Sequence, residues 1–349
     1  MTTTGRPTGA IARDGMGGRG RVVRTLAGWV AALALVSAPG GTLPAQQPAT
    51  PPTAARGTTP AWLRARLDGR LDSASRVAVE RVIDSVHASG LPAEPLVDKA
   101  LEGASKRAPR EAIVRALRAL AADLAQARQS LGPQSLTGEL TAGAVALRGG
   151  IDDEALRRLR RERQGQPLVV ALGVLTDLVA RGVPASDASR AVLDLTRAGV
   201  ADEQLVAFRR DVERDIGIGA PPAAAATLRA SSLALNLGRD GATTGAASRA
   251  PAGRANAERF LVADEAAGLR VITVRVLDAA RVELMADFTD WLPVPLVRAG
   301  RDEWRMAVTI APGVHRVNLR VNDGPWTVPP GLTAVRDDFG GEVGLLVVR

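Results

Sequence analysis

The sequence predicts a multi-domain protein: an N-terminal all-α array of helical hairpins followed by a C-terminal all-β sandwich. Two changes of period and one compositional break predict it. From Pro60 to about residue 216 apolar residues recur every three or four positions, and from Arg259 they recur every second position. Between these stretches, residues 217–256 are dominated by Gly, Ala, Pro and Thr.

Composition narrows the function classes. The 349-residue chain has no Cys, no Tyr, four Phe and five Trp, so it holds neither disulfides nor thiolate metal sites. Its two histidines, His87 and His315, fall in a helical and a strand pattern far apart, which argues against a His-based metal centre or a Ser–His–Asp triad. No cofactor is expected. Only two of its 45 basic residues are lysines, Lys99 and Lys106, a bias that fits genomic base composition. Five arginines and one acid lie in residues 1–45, which halves the formal charge of +8 for the remainder, and no basic stripe is interleaved with aromatics. Nucleic acid is therefore not expected as a partner.

The chain opens with a leader. Arg19, Arg21 and Arg24 precede the apolar run Leu26–Val36, and small residues ending at Leu43-Pro-Ala45 follow. Basic, apolar and small-residue regions in that order predict a secretory signal over 1–45, and hence a periplasmic or extracellular protein. The apolar run is too short to span a bilayer, so no stable membrane span is expected after cleavage. Met16 would place the basic region next to the N-terminus. Residues 46–59 are a Pro/Thr/Ala linker.

Residues 60–216 predict the helical domain. Trp62, Leu63, Leu67 and Leu71, then Val79 to Val86, then Ile113, Leu117, Leu120 and Leu124, then Leu156 to Phe208 mark successive helices. A motif recurs at the joints: Gly90-Leu-Pro, Gly150-Ile-Asp, Gly182-Val-Pro and Gly199-Val-Ala, with acids following in all four. The glycine ends one helix in the left-handed conformation, the apolar residue staples the turn, and acids favour the positive end of the next helix. Asp152, Asp153, Glu154, Asp202 and Glu203 are explained by that dipole rather than by catalysis, and the Arg157–Arg163 run is expected to be a solvated face. The array suits a protein partner. Residues 217–256 are expected to be a flexible linker, with a short element near Leu228–Leu237.

Residues 257–349 predict the sandwich, with strands at 269–277, 281–286, 304–310, 314–321 and 344–348. Alternation puts Val317, Leu319 and Val321 on the core side and Arg316, Asn318 and Arg320 on a water-facing side. Trp291 and Trp326 follow turns, where a flat ring beside hydrogen-bonding groups suits a sugar or a partner surface; Trp304 lies within a strand and belongs to the sheet.

The stretch Arg281-Val-Glu-Leu-Met-Ala-Asp-Phe-Thr-Asp-Trp291, then Trp304, then Pro312-Gly-Val-His-Arg-Val-Asn-Leu-Arg-Val-Asn-Asp-Gly-Pro-Trp326, and finally Asp338-Phe-Gly-Gly, resembles the glycogen-binding modules of carbohydrate-binding module family 48 and of the AMP-activated protein kinase β subunit. The resemblance covers residues 259–349. It implies an immunoglobulin-like fold and a sugar platform of Trp291 and Trp326. Asn318 stands where the family has a lysine, Arg320 lies beside it on the same face, and Gly344 stands near where the family often has an asparagine. The expected function is a secreted, non-catalytic protein that binds an α-glucan-like polysaccharide through Trp291, Trp326, Asn318 and Arg320. The alternatives are an envelope interaction or scaffold protein whose module mediates protein contacts, and an accessory subunit of a glycan-acting enzyme.

Overall fold

The computed structural model describes residues 59–240, 260–264 and 269–348. The expected signal, the 46–59 linker apart from Thr59, and residues 241–256 of the expected second linker lie outside the described residues. All described residues belong to one compact unit, Thr53–Arg349.

Among the described residues ten helices come first: α1 (Ala61–Ala65), α2 (Ser73–Ala88), α3 (Glu94–Ser105), α4 (Arg110–Leu131), α5 (Thr137–Arg148), α6 (Asp153–Glu162), α7 (Val169–Ala180), α8 (Ala185–Arg197), α9 (Asp202–Gly217) and α10 (Pro222–Asp240). They alternate between two layers. α2, α4, α6, α8 and α10 pack in succession along one layer; α5, α7 and α9 do so along the other.

The joints form as their residues dictate. Gly90, Gly150, Gly182 and Gly199 all have φ between +76° and +92°. The apolar residue after each is buried, and its N–H donates to the carbonyl five residues back: Leu91 to Val86, Ile151 to Ala146, Val183 to Leu178, Val200 to Leu195. This is the Schellman closure, and it reverses the chain after each helix. Asp72 and Asp152 cap the helices that follow them, accepting from Ser75 N (2.9 Å) and Ala155 N (2.6 Å).

The short element expected near Leu228–Leu237 is part of α10, which starts earlier, at Pro222, and so corrects the first part of the expected linker. Pro222 begins α10 with φ already set for a helix, and Ala225, Ala226 and Ala230 are buried in the cluster that holds α8 and α9. An alanine run looks featureless in sequence, but its small side chains let helices approach closely. Trp62 also departs from its periodic pattern: it is exposed, while Leu63 and Leu67 are buried.

The strands are β1 (Phe260–Asp264), β2 (Leu269–Arg275), β3 (Val282–Ala286), β4 (Val294–Pro295), β5 (Val297–Arg298), β6 (Glu303–Thr309), β7 (Gly313–Val321), β8 (Thr333–Arg336) and β9 (Glu342–Val348). They form two antiparallel sheets, ordered β1-β2-β6-β5 and β4-β3-β7-β9-β8. Ile272, Val274, Trp304 and Met306 of the first sheet share a core with Val282, Leu284, Val317, Leu319, Leu346 and Val348 of the second. Trp304 is thus a core residue, as its mid-strand place suggests.

The alternation along β7 is as expected on its core side, since Val317 and Leu319 are buried between the sheets. The opposite face is not open to water. α5 and α7 pack on β7, α7 also packs on β8 and β9, and α3 packs on the 3-10 turn Asp287–Thr289 after β3. Met285 and Val343 join the core of the first helices, and Val314 and Leu345 join that of the later ones. Hence all of Val282–Ala286 is buried, a pattern that belongs to a strand covered on both sides. α7 is apolar almost all round for the same reason, lying between neighbouring helices and the sheet.

Candidate functional site

The four residues expected to contact sugar lie on this helix-covered face or at its rim. Trp291 ends the segment that begins with the 3-10 turn. Thr289 Oγ1 accepts from Ala286 N at 3.0 Å, and Trp291 N donates to Ala286 O at 2.8 Å, closing a tight reversal. Asp290 and Trp291 both take left-handed backbone, with φ of 53° and 55°. Such a conformation in two successive non-glycine residues persists only where surrounding contacts impose it. Here those contacts come from the helices. Arg66, just after α1, donates from Nε to Asp290 Oδ1 at 2.8 Å, and Arg70 donates to Asp290 O at 2.9 Å.

The Trp291 ring points into the helical core and is 1% exposed. Lys106 Nζ stands 5.4 Å from its ring centroid, and its Nε1 has no hydrogen-bond partner. The expectation of an open sugar platform at Trp291 is therefore corrected: the plate is used within the chain. Burial of a large aromatic against several helices outweighs the polar groups of its turn.

Asn318 is likewise corrected as a sugar contact. It is buried, and its Nδ2 donates to Glu342 O at 2.9 Å and Thr327 O at 3.3 Å, tying β7 to β9 and to the segment after Trp326. Its position is one where burial leaves no donor free for a ligand. Gly344 has a steric basis, because a Cβ there would meet Pro329 Cδ at 3.0 Å and Leu332 Cβ at 3.1 Å. Arg320 and Trp326 do come together, with the guanidinium carbon 4.8 Å from the ring centroid. Arg320 Nε also donates to the buried Glu283 carboxylate at 2.7 Å. Trp326 is half-buried and packs against the edge of the helical core. The structure thus joins Arg320 with Trp326 and draws Trp291 away beneath the helices.

What holds the face closed is an ionic network that the sequence reading did not single out. Lys99 Nζ, 1% exposed, meets Glu102 Oε2 at 2.7 Å and Asp338 Oδ2 at 2.8 Å. Lys106 reaches Glu102 Oε1 at 3.0 Å and also pairs with Asp337. Arg316 of β7 approaches Glu102 Oε2 at 3.3 Å, and Arg148 of α5 bonds Asp338 Oδ1 at 2.8 Å. The Phe339 ring lies 5.6 Å from Lys99 Nζ and 5.9 Å from Lys106 Nζ. Burial opposes the charge on Glu102, but Lys99, Arg316 and Lys106 outweigh it and hold its pKa down at about 2. Both lysines of the chain meet here. A compact ammonium with three donors suits a buried site that must face carboxylates in several directions. The sequence signal was their rarity, with Lys99, Glu102 and Lys106 spaced for one face of a helix.

Glycines set how closely the helices approach. A Cβ on Gly103 of α3 would lie 2.9 Å from Phe339 Cζ, and one on Gly173 of α7 would lie 2.7 Å from Val347 Cγ1. A second polar tie runs from the buried Asp177 of α7 to Thr333 Oγ1 of β8, with Arg181 and Arg209 each 3.1 Å from the other carboxylate oxygen. The Arg157–Arg163 run is only partly the solvated face expected. Arg157, Arg158 and Arg161 share Glu154 on the surface, but Arg160 pairs with Glu139 at 2.6 Å and the buried Arg163 with Asp202 at 2.6 Å.

A cleft of about 400 Å³ opens between Arg70, Ser75, Arg107 and Arg110, and none of the four expected sugar contacts lines it. Among the described residues, no group of three or more His, Asp or Glu side chains is placed to hold a metal, and no helix is long and apolar enough to cross a membrane. The chain matches no known protein-family model, and no curated protein matches it.

Proposed function

We propose that this protein is an exported, non-catalytic interaction or scaffold protein. In this reading its C-terminal sheets are an immunoglobulin-like sandwich of the glycogen-binding type that serves protein contact instead of sugar. The observation that carries the proposal is the burial of Trp291 beneath the helices, with Lys106 over its ring. The face that the resemblance assigns to polysaccharide is occupied by the chain's own helical array. The array is left with its outer layer of α2, α4, α6, α8 and α10 for a protein partner, and α10 carries exposed Leu228 and Leu235 there. Leu228 and Leu235 lie two helical turns apart and so share one face of α10.

Affinity electrophoresis of the intact mature chain in gels with glycogen, amylopectin, β-glucan or no sugar tests the reading. The expected result is equal mobility in all four gels. Retardation in an α-glucan gel that Trp326→Ala abolishes would restore the carbohydrate-binding reading. Cross-linking within the envelope fraction supplies the positive arm, with cross-links expected from the α10 face to one recurrent protein and reduced when Leu228 and Leu235 are changed to Ser.

A further inference from the structure

The corner where α1 and α3 meet the 3-10 turn Asp287–Thr289 contains a line of charges. Arg66 Nη2 donates to Asp98 Oδ1 of α3 at 2.7 Å and its Nε to Asp290 at 2.8 Å. One Asp287 oxygen is 3.0 Å from His315 Nδ1 and accepts from Phe288 N at 2.8 Å; the other accepts from Arg316 N at 3.1 Å. The remaining imidazole nitrogen, Nε2, is 2.8 Å from the Ala311 carbonyl. Both ring nitrogens of His315 therefore face acceptors. A neutral imidazole carries one N–H, so only the doubly protonated ring satisfies both contacts. Phe288 packs edge-on against that ring at 5.6 Å.

We propose that this corner is a proton-operated latch, closed with His315 as imidazolium between the Asp287 carboxylate and the Ala311 carbonyl, and loosened as that proton leaves. Loosening weakens the tie of the Asp287–Trp291 segment to β7. The proposal does not depend on which partner the helical array binds.

The surrounding charges favour the imidazolium. Burial opposes charge on His315, but Asp287, the Ala311 carbonyl and Asp98 together raise its pKa above the ordinary 6.5. Arg70 of the α1–α2 connection faces the Asp290 backbone. The other charged groups on the elements packed here are engaged elsewhere. Arg316 of β7 approaches Glu102, Glu139 of α5 takes Arg160 and Leu168 N, Asp177 of α7 takes Thr333 and two arginines, and Glu283 of β3 takes Arg281 and Arg320.

The sign follows from proton uptake on closing. His315 contributes fully below pH 6.5, and its contribution is lost as pH rises through its raised pKa. The latch is therefore tighter in mild acid and looser in mild alkali.

The test uses the full mature chain carrying His87→Gln, so that one imidazole remains. ¹⁵N-histidine NMR should show His315 titrating above 6.5, with both nitrogens protonated at pH 6. Hydrogen exchange of the 286–292 amides, corrected for intrinsic rates, should show opening that increases from pH 6 to 8.5, approaching about tenfold per pH unit for each proton released. His315→Gln, which removes the titrating imidazole, should flatten that profile. A His315 pKa at or below 6.5, or protection independent of pH in the unmodified corner, would overturn the proposal even if a variant failed to fold.

Discussion

Lys106 Nζ stands 5.4 Å above the Trp291 ring, so a helix ammonium occupies the plate that the turn sequence offers to a ligand. The same ammonium bonds Glu102 and Asp337, which places Trp291 at the edge of the ionic network rather than on the surface.

Truncating that plate should therefore cost stability. Trp291→Ala is expected to destabilise the intact chain by about 3–5 kcal/mol in denaturant unfolding, the range for losing a buried large aromatic. Trp326→Ala, at the half-buried rim, should cost less than half as much. Equal and near-zero effects for both would mean that Trp291 is a surface residue after all.

Glu102 is the hub of the buried charges. Glu102→Gln leaves Lys99, Lys106 and Arg316 with their carboxylate partner neutralised, and a loss of about 3–5 kcal/mol is expected from chemical unfolding at pH 7. Double-mutant cycles with Lys99→Met should show strong coupling, because both substitutions remove the same contact.

The Glu102 pKa also sets an acid limit. Its folded value is about 2 against an ordinary 4.5, so its contribution is complete above 4.5 and is lost as pH falls toward 2. Asp337 and Asp338, lowered chiefly by Lys106 and Lys99 against the cost of burial, act in the same sense. Together with the latch, stability should peak in mildly acidic solution and decline on both sides. Thermal melts from pH 3 to 9 measure this, and a monotonic rise to pH 9 would contradict it.

The helix–sheet approach at Gly173 is testable sterically. A Cβ there would stand 2.7 Å from Val347 Cγ1, so Gly173→Ala should destabilise by about 1–3 kcal/mol through overpacking. Adding Val347→Ala should recover part of the loss, giving a favourable coupling between two residues far apart in sequence. Additive effects would show that the two do not touch.

The Schellman joints give a cleaner backbone test. Gly150 has φ of 92° and no heavy atom within 4 Å of an added Cβ. Gly150→Ala should therefore cost only the left-handed strain, about 1–2 kcal/mol, with no change of packing. A neutral result would mean that the turn relaxes freely.

Local chemistry made much of this molecule legible in the residues themselves. The four Gly-apolar joints are visible because only glycine adopts the left-handed turn without cost. The alternation of β7 and the core place of Trp304 are visible because a strand repeats every two residues. Two things were invisible at that level. The alanine run that opens α10 reads as linker, with only the stretch near Leu228–Leu237 marking a short element, since the burial of Ala225, Ala226 and Ala230 depends on neighbouring helices. The second face of β7 carries Arg316, Asn318 and Arg320, the composition of a solvated surface, yet those side chains meet Glu102, backbone carbonyls and Trp326. Periodicity shows which residues share a face; it does not show what covers that face. Here the cover comes from helices more than a hundred residues away in sequence. Burying polar groups beneath them is tolerable only because Lys99, Glu102, Asp338 and Asn318 find partners that exist once the chain has closed.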